Sequence, residues 1–228
     1  MIETAVRSGI RTITLSRPEK RNALDPAGLD ALGEAVETAT EPVVLLRGAG
    51  SAFCAGADLE VVRSLDGEAA AAFARQGQRT ARTLEESESV AIAGIDGPAR
   101  GGGVELALAC DLRIATPRAT FAEPGVALGL FGAWGGTVRL PRVCGLGDAM
   151  DFSLSGRVID AEEALRIGLV SRIVEDPAAI AHGIAAKDRE SLRIVKRRLR
   201  DSREAALQED AEAADFASLL GRDPEPGD

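Results

Sequence analysis

Hydrophobic and polar positions along the chain follow two alternating periods. Over 10–15, apolar Ile10, Ile13 and Leu15 mix with Arg11, Thr12 and Thr14, a β-branched run closed by Arg17-Pro18, which predicts a strand. Asp25-Pro26 then supplies a helix cap and a proline at the first helical position. Leu29, Leu32, Val36 and Ala39 recur at helical spacing until Glu41-Pro42 stops them. Residues 43–46 form a short apolar run of strand type, followed by a Gly48-Ala49-Gly50-Ser51 loop. The Ala-rich, polar-periodic stretch 68–88 predicts a long helix, and 90–95 predicts the next buried strand.

Gly101-Gly102-Gly103 leads into an apolar helix over 104–110, and short strands are expected at 112–115 and 120–122, around Pro117. Asp160 with Glu163 three residues on reads as an N-cap that opens a helix ending at Gly168. Strands and helices alternate to about residue 173, after which the pattern is helical, with a frayed end over 223–228. The expected organisation is an α/β core over residues 1–172 followed by a C-terminal helical region over 173–228. No repeat of solenoid type is visible.

Composition narrows the class. At 228 residues, 45% hydrophobic and 28% charged, the chain can bury a full core and needs no disulfide or metal staple. Lys and Arg number 27 against 36 Asp and Glu, a net charge of −9, which disfavours nucleic acid as the main partner. Cys54, Cys110 and Cys144 are widely spaced with no C-x-x-C pair, so free thiols in a reducing compartment are expected. Neither a basic-then-apolar leader nor a membrane-length apolar run is present, and a cytoplasmic protein without a membrane partner is the expectation.

Several chemistries fall away. There is no G-x-x-x-x-G-K-[ST] phosphate loop, and no G-x-G-x-x-G fits the glycine runs. A Ser-His-Asp hydrolase needs a poised histidine, yet the single histidine, His182, lies in the Ala-rich tail and reads as a surface or packing residue. No His/Cys/carboxylate spacing suggests a metal. Two glycine-rich turns remain: 51–59, entering a helix near Asp58, and 101–105, entering one directly. Glycine admits close backbone approach, and a helix start offers unpaired N–H donors with a favourable dipole. Two such donors on one oxygen form an oxyanion hole, each worth about 3 kcal/mol to a transition state.

The ordered segments Arg17-Pro18-Glu19-Lys20-Arg21-Asn22-Ala23-Leu24, Ala52-Phe53-Cys54-Ala55-Gly56-Ala57-Asp58-Leu59 and 101–111 resemble the signatures of the crotonase (enoyl-CoA hydratase/isomerase) superfamily. Gly135-Gly136-Thr137-Val138-Arg139-Leu140 and 155–170 continue the resemblance, which spans roughly residues 5–174. It implies a spiral of ββα units and a C-terminal helical oligomerisation region giving a homo-trimer or dimer of trimers. The implied substrate is an acyl-CoA thioester, with coenzyme A part of the substrate and no separate cofactor. Carried over by position, the N–H groups of Ala57 and Gly102 match the oxyanion donors, and Glu105 matches the first catalytic glutamate. Lys20, Arg21, Asn22, Ala23, Ala55, Gly56 and Asp58 match the coenzyme A-binding segments.

One departure matters. The second glutamate of hydratases in this family follows the proline of a segment such as 120–126, and here that position holds Gly125. Glu123, two residues earlier, either substitutes for it through a different turn or serves a structural or solvent-facing role. One carboxylate suffices to shift a double bond, so an isomerase stays open beside the hydratase, as do a decarboxylase and a thioester hydrolase on the same scaffold. An RNA-binding relative of the fold is the non-enzymatic alternative. Trp134 and Phe131 either wall an acyl pocket or pack in the core. A polyanionic coenzyme requires a locally basic entrance, expected at Lys20, Arg21 and the arginines over 193–200.

Overall fold

The computed structural model describes residues 1–221; the expected frayed segment 223–228 lies outside them. The elements in chain order are β1 (Ile2–Arg7), β2 (Ile10–Leu15), α1 (Pro26–Glu37), β3 (Val43–Gly48), α2 (Leu59–Ser64), α3 (Gly67–Glu86), β4 (Val90–Ile95), β5 (Pro98–Arg100) and α4 (Gly102–Ala109). They continue as β6 (Leu112–Ala115), β7 (Thr120–Ala122), α5 (Gly136–Ser155), β8 (Ile159–Asp160), α6 (Ala161–Arg166), β9 (Arg172–Ile173), α7 (Pro177–Ala185), α8 (Arg189–Leu199) and α9 (Ala205–Leu220). The main sheet has the order β1-β2-β3-β4-β6-β9, antiparallel only between β1 and β2. A smaller sheet, β5-β7-β8, stands beside it.

Because side chains alternate along a strand, β3 and β4 each feed two cores. Val44, Leu46, Ala91, Ala93 and Ile95 face the large cluster with α1, α3 and α4, while Val43, Leu45, Val90 and Ile92 face a second cluster closed by Ala178, Ile180, Ala181 and Ile184 of α7. Coverage on both sides explains why 90–95 reads as continuously apolar. The C-terminal helices α7 and α8 therefore form the second layer over the sheet, and α9, packed on α8, has no buried residue.

Caps behave as the sequence predicts. Asp25 accepts the Gly28 N–H at 2.8 Å, and Asp160 accepts that of Glu163 at 2.9 Å. Strand β3 runs on through Gly48, which the pattern had assigned to a loop. Helix α3 spans 67–86 rather than 68–88, ending where Ser87 takes an extended conformation.

Candidate active site

The site is assembled from the two glycine turns and from a loop that follows β7. Asn22, in the left-handed region at φ 60°, locks the first turn. Its amide donates to the carbonyls of Ala49, Ala52 and Phe53 at 2.9, 2.8 and 3.2 Å, and its oxygen accepts the Arg17 N–H at 3.0 Å. Leu24 then bridges residues 56 and 58, donating to Gly56 O at 2.8 Å and accepting from Asp58 N at 2.9 Å. Along an extended segment successive N–H groups point to opposite sides, so that of Ala57 faces away from Leu24.

Across from it, Gly101 adopts φ 48° and donates to Ala122 O at 3.0 Å, which starts α4 at Gly102. As the first residue of the helix, Gly102 has no intrahelical acceptor for its N–H. The two turns touch: a methyl placed on Gly56 would lie 2.7 Å from the Gly102 nitrogen. Among the described residues, neither the Ala57 nor the Gly102 N–H donates to a backbone carbonyl.

Three residues into α4, Glu105 is only 1% exposed. Its Oε1 accepts the N–H groups of Trp134 and Gly136 at 2.8 and 2.7 Å. The carboxylate lies flat against glycines, since a methyl at Gly132 would come 2.9 Å from the Glu105 carboxyl carbon and one at Gly136 would come 2.9 Å from its Cγ. Burial raises the Glu105 proton affinity, and the two N–H donors together with the Arg139 charge oppose that rise.

Glu123 precedes a 3-10 turn at Pro124–Leu128 and does not cap it. At 8% exposure its carboxyl accepts no hydrogen bond among the described residues. Burial, reinforced by the Glu105 charge, pushes it up to about 8, so the solvent-facing alternative for Glu123 is overturned by its enclosure.

Both carboxyls line one cavity of about 390 Å³, together with Ala55, Ala57, Gly101 and Gly102. Its remaining wall is apolar: Val62 of α2, Leu65 just after it and Phe73 of α3, and Leu130, Phe131 and Trp134 from the loop. Gly125 also lines it, with its Cα facing the Leu130 and Phe131 backbone. Trp134 meets Phe73 edge to face at 5.8 Å, so it is core and cavity wall at once.

The remaining predicted residues divide. Asn22 is turned inward onto its three carbonyls, and the Ala55 N–H is taken by Arg21 O at 2.9 Å. Asp58 caps α2 through the Glu60 N–H and pairs with Arg17 at 2.8 Å, which holds its carboxyl below the usual range. Lys20 pairs with Glu60 at 2.6 Å. Arg21 is exposed, forms no ion pair among the described residues, and is close enough to half-buried Arg100 to lower its proton affinity, after burial. Ala23 is buried beside this turn.

The arginines over 193–200 are a correction. Arg193 pairs with Glu88 and Glu190, Lys196 with Asp111, Arg197 and Arg198 with Asp215, and Arg200 with Glu85 and Asp111. Their charge is neutralised against the 85–88 and 111 segments, Glu190 and Asp215, none of which lines the cavity. His182 is exposed on α7, and burial pushes the Cys54 and Cys110 thiols up to about 12, which leaves no thiolate nucleophile at these two positions. Among the described residues no cluster could hold a metal ion, and no helix is long and apolar enough to cross a membrane. Sequence reasoning missed the Trp134 and Gly136 backbone as partners of Glu105. The glycines at 132, 135 and 136 were the available signal.

Two glycine turns with uncommitted N–H groups thus stand beside two enclosed carboxyls on a mixed α/β fold. The enoyl-CoA hydratase/isomerase family model matches residues 5–218. A crotonyl-CoA hydratase from Syntrophomonas wolfei is 38% identical over 171 residues, covering 73% of this chain and 66% of its own length, so the alignment spans just under two thirds of that relative. The crystal structure of an enoyl-CoA hydratase from Bacillus anthracis superposes with a TM-score of 0.91 at 32% identity, covering 97% of this chain and 91% of that one. A Thermobifida fusca chain solved in complex with CoA gives a TM-score of 0.88 at 27% identity, over 96% and 92% of the two chains. The chain belongs to the enoyl-CoA hydratase/isomerase family and has the crotonase fold.

Proposed function

We propose that the chain hydrates 2-enoyl-CoA thioesters, using Glu105 and Glu123 as a base and acid pair and the N–H groups of Ala57 and Gly102 as oxyanion donors. The observation that carries this reading is the cavity in which two carboxyls of different environment face the same space beside two uncommitted N–H groups. Hydration needs one group to activate water and another to protonate the neighbouring carbon, and environments that differ supply that division.

Glu105, with two N–H donors on one oxygen, is the better carboxylate; Glu123, unpartnered and lifted to about 8, holds its proton at neutral pH. Water bonds to the β-carbon as its proton passes to Glu105. The displaced π electrons form an enolate whose oxygen charge meets Ala57 and Gly102, and the α-carbon takes the proton from Glu123. Return of a proton from Glu105 to Glu123 resets the pair. Coenzyme A enters as part of the substrate, with Arg21 and the Lys20–Ala23 segment at its phosphates and Ala55, Gly56 and Asp58 bordering the path of the thioester. The chain acts in the cytoplasm without a separate cofactor. It acts as a trimer or dimer of trimers, a reading supported by the exposed Leu146, Met150 and Leu154 of α5 and Leu207, Phe216 and Leu220 of α9.

The test follows the conjugated thioester absorbance of crotonyl-CoA, beside a 3-enoyl-CoA. Loss of absorbance with formation of 3-hydroxyacyl-CoA is expected, and Glu105→Gln lowers the rate by about 10²- to 10⁴-fold. Turnover of the 3-enoyl-CoA alone would assign the single-acid isomerase instead. Release of free thiol would assign a hydrolase, and full activity of Glu105→Gln would remove the mechanism.

A further inference from the structure

Trp134 occupies a singular place in the cavity. Its backbone N–H holds Glu105, while its indole fills the space between two helices. A methyl on Gly77 of α3 would overlap the pyrrole edge, and a methyl on Gly102 would overlap the benzo edge. Phe73 braces the ring edge to face, and Gln78 of the same helix donates to Ala133 O at 2.9 Å, fixing the loop that carries it. The ring thus stands directly against the glycine whose N–H faces the cavity, and it closes the cavity on the α3 side.

We propose that Trp134 is the specificity-determining wall of the acyl site, restricting this chain to short, uncharged acyl groups. The inference rests on the acyl-CoA reading above. If the thioester oxygen lies at Gly102, the first carbons of the acyl chain run along the benzo edge, and a longer chain meets the ring where Gly77 and Phe73 leave it no room to retreat. The rest of the wall is aliphatic or aromatic: Val62, Leu65, Leu128, Leu130 and Phe131. The titratable groups lining the cavity are the two glutamates, and the Glu105 carboxylate disfavours an acyl group that carries a second carboxylate.

The experiment uses two readouts. Trp134 is the only tryptophan and the chain has no tyrosine, so its indole emission reports from this wall alone. Titration of the full chain with butyryl-CoA, a saturated and unreactive probe, is expected to change that emission, whereas free CoA leaves it unchanged; calorimetry records binding of both independently. The second readout is the ratio of kcat/KM for 2-decenoyl-CoA to that for crotonyl-CoA, expected to rise by about 10-fold or more in Trp134→Ala, since a few methylenes in an apolar pocket discriminate on that scale. Trp134→Phe, which keeps an aromatic brace, is expected to give an intermediate ratio and protects the test if the alanine variant does not fold. Calorimetric binding of butyryl-CoA with unchanged emission, or with an unchanged chain-length ratio in the variants, would overturn the assignment of Trp134 and leave the acyl-CoA reading standing. Absence of any acyl-CoA binding would overturn both.

Discussion

Glu123 offers a test of the site that needs no substrate. Its carboxyl stands at about 8 against an ordinary 4.5, and the first cause is burial, with the Glu105 charge second. At about 1.4 kcal/mol per pH unit, such a rise corresponds to roughly 5 kcal/mol of preference for the neutral acid. The unfolded chain ionises this group near pH 4.5, so between about pH 4.5 and 8 the native state holds a proton that the unfolded state has lost. Stability from this group is complete below that window, falls as pH rises through it, and stays lost above about pH 8. Glu123→Gln keeps the shape and removes the titration. The variant is therefore expected to gain stability relative to the parent chain as pH rises from 5 to 8.5, by about 3 to 5 kcal/mol, since water entering the cavity softens the burial cost. Urea unfolding at half-unit pH steps measures the difference. Glu105, also raised, is present in both chains, so comparison isolates Glu123. A stability difference that stays flat with pH would show that Glu123 ionises like a surface carboxyl, and the acid role assigned to it would fall with that result.

Two further outcomes follow from the packing. Gly132→Ala puts a methyl 2.9 Å from the Glu105 carboxyl carbon; an expected loss of about 10²-fold in kcat with an unchanged far-ultraviolet spectrum checks that this glycine positions the base, and undiminished turnover would contradict it. Asn22→Ala leaves the Ala52 and Phe53 carbonyls without the amide that bridges them, for an expected loss of about 3 kcal/mol or more in urea unfolding; a change below about 1 kcal/mol would show that the turn holds without Asn22.

The layered core was legible because its signals are local. The β-branched run at β2, the continuous apolar run at β4, and the caps at Asp25 and Asp160 depend on residues within a few positions of one another. Strand β1 was not legible: five of its six residues are exposed, so it lacks the apolar alternation that marks a half-buried strand, and only pairing with β2 defines it. Helix α5 was hidden by Pro141 and by Gly145, and at Gly145 (φ 77°) the backbone does leave the helical region, so that α5 is two helical stretches joined across a kink. The same division applies to the candidate site. The two glycine turns and Glu105 could be read because a backbone donor needs only a turn and a helix start, both written in adjacent residues.

What could not be read is how Glu105 and Glu123 come to face one cavity, since that depends on partners far along the chain. The departure at Gly125 suggested that a second acid had been lost. In the folded chain, Gly125 packs its Cα against the Leu130 and Phe131 backbone, and Glu123, immediately before the turn at Pro124–Leu128, lines the same cavity as Glu105. Glu123 makes no side-chain cap on that turn, and its burial without a hydrogen-bond partner among the described residues, beside the Glu105 charge, holds its proton at neutral pH. A glutamate at 125 would crowd this packed turn. A side chain there meets the Leu130 and Phe131 backbone at 3.0 Å, so the loop that carries Phe131 and Gly132 has to give by a few tenths of an ångström.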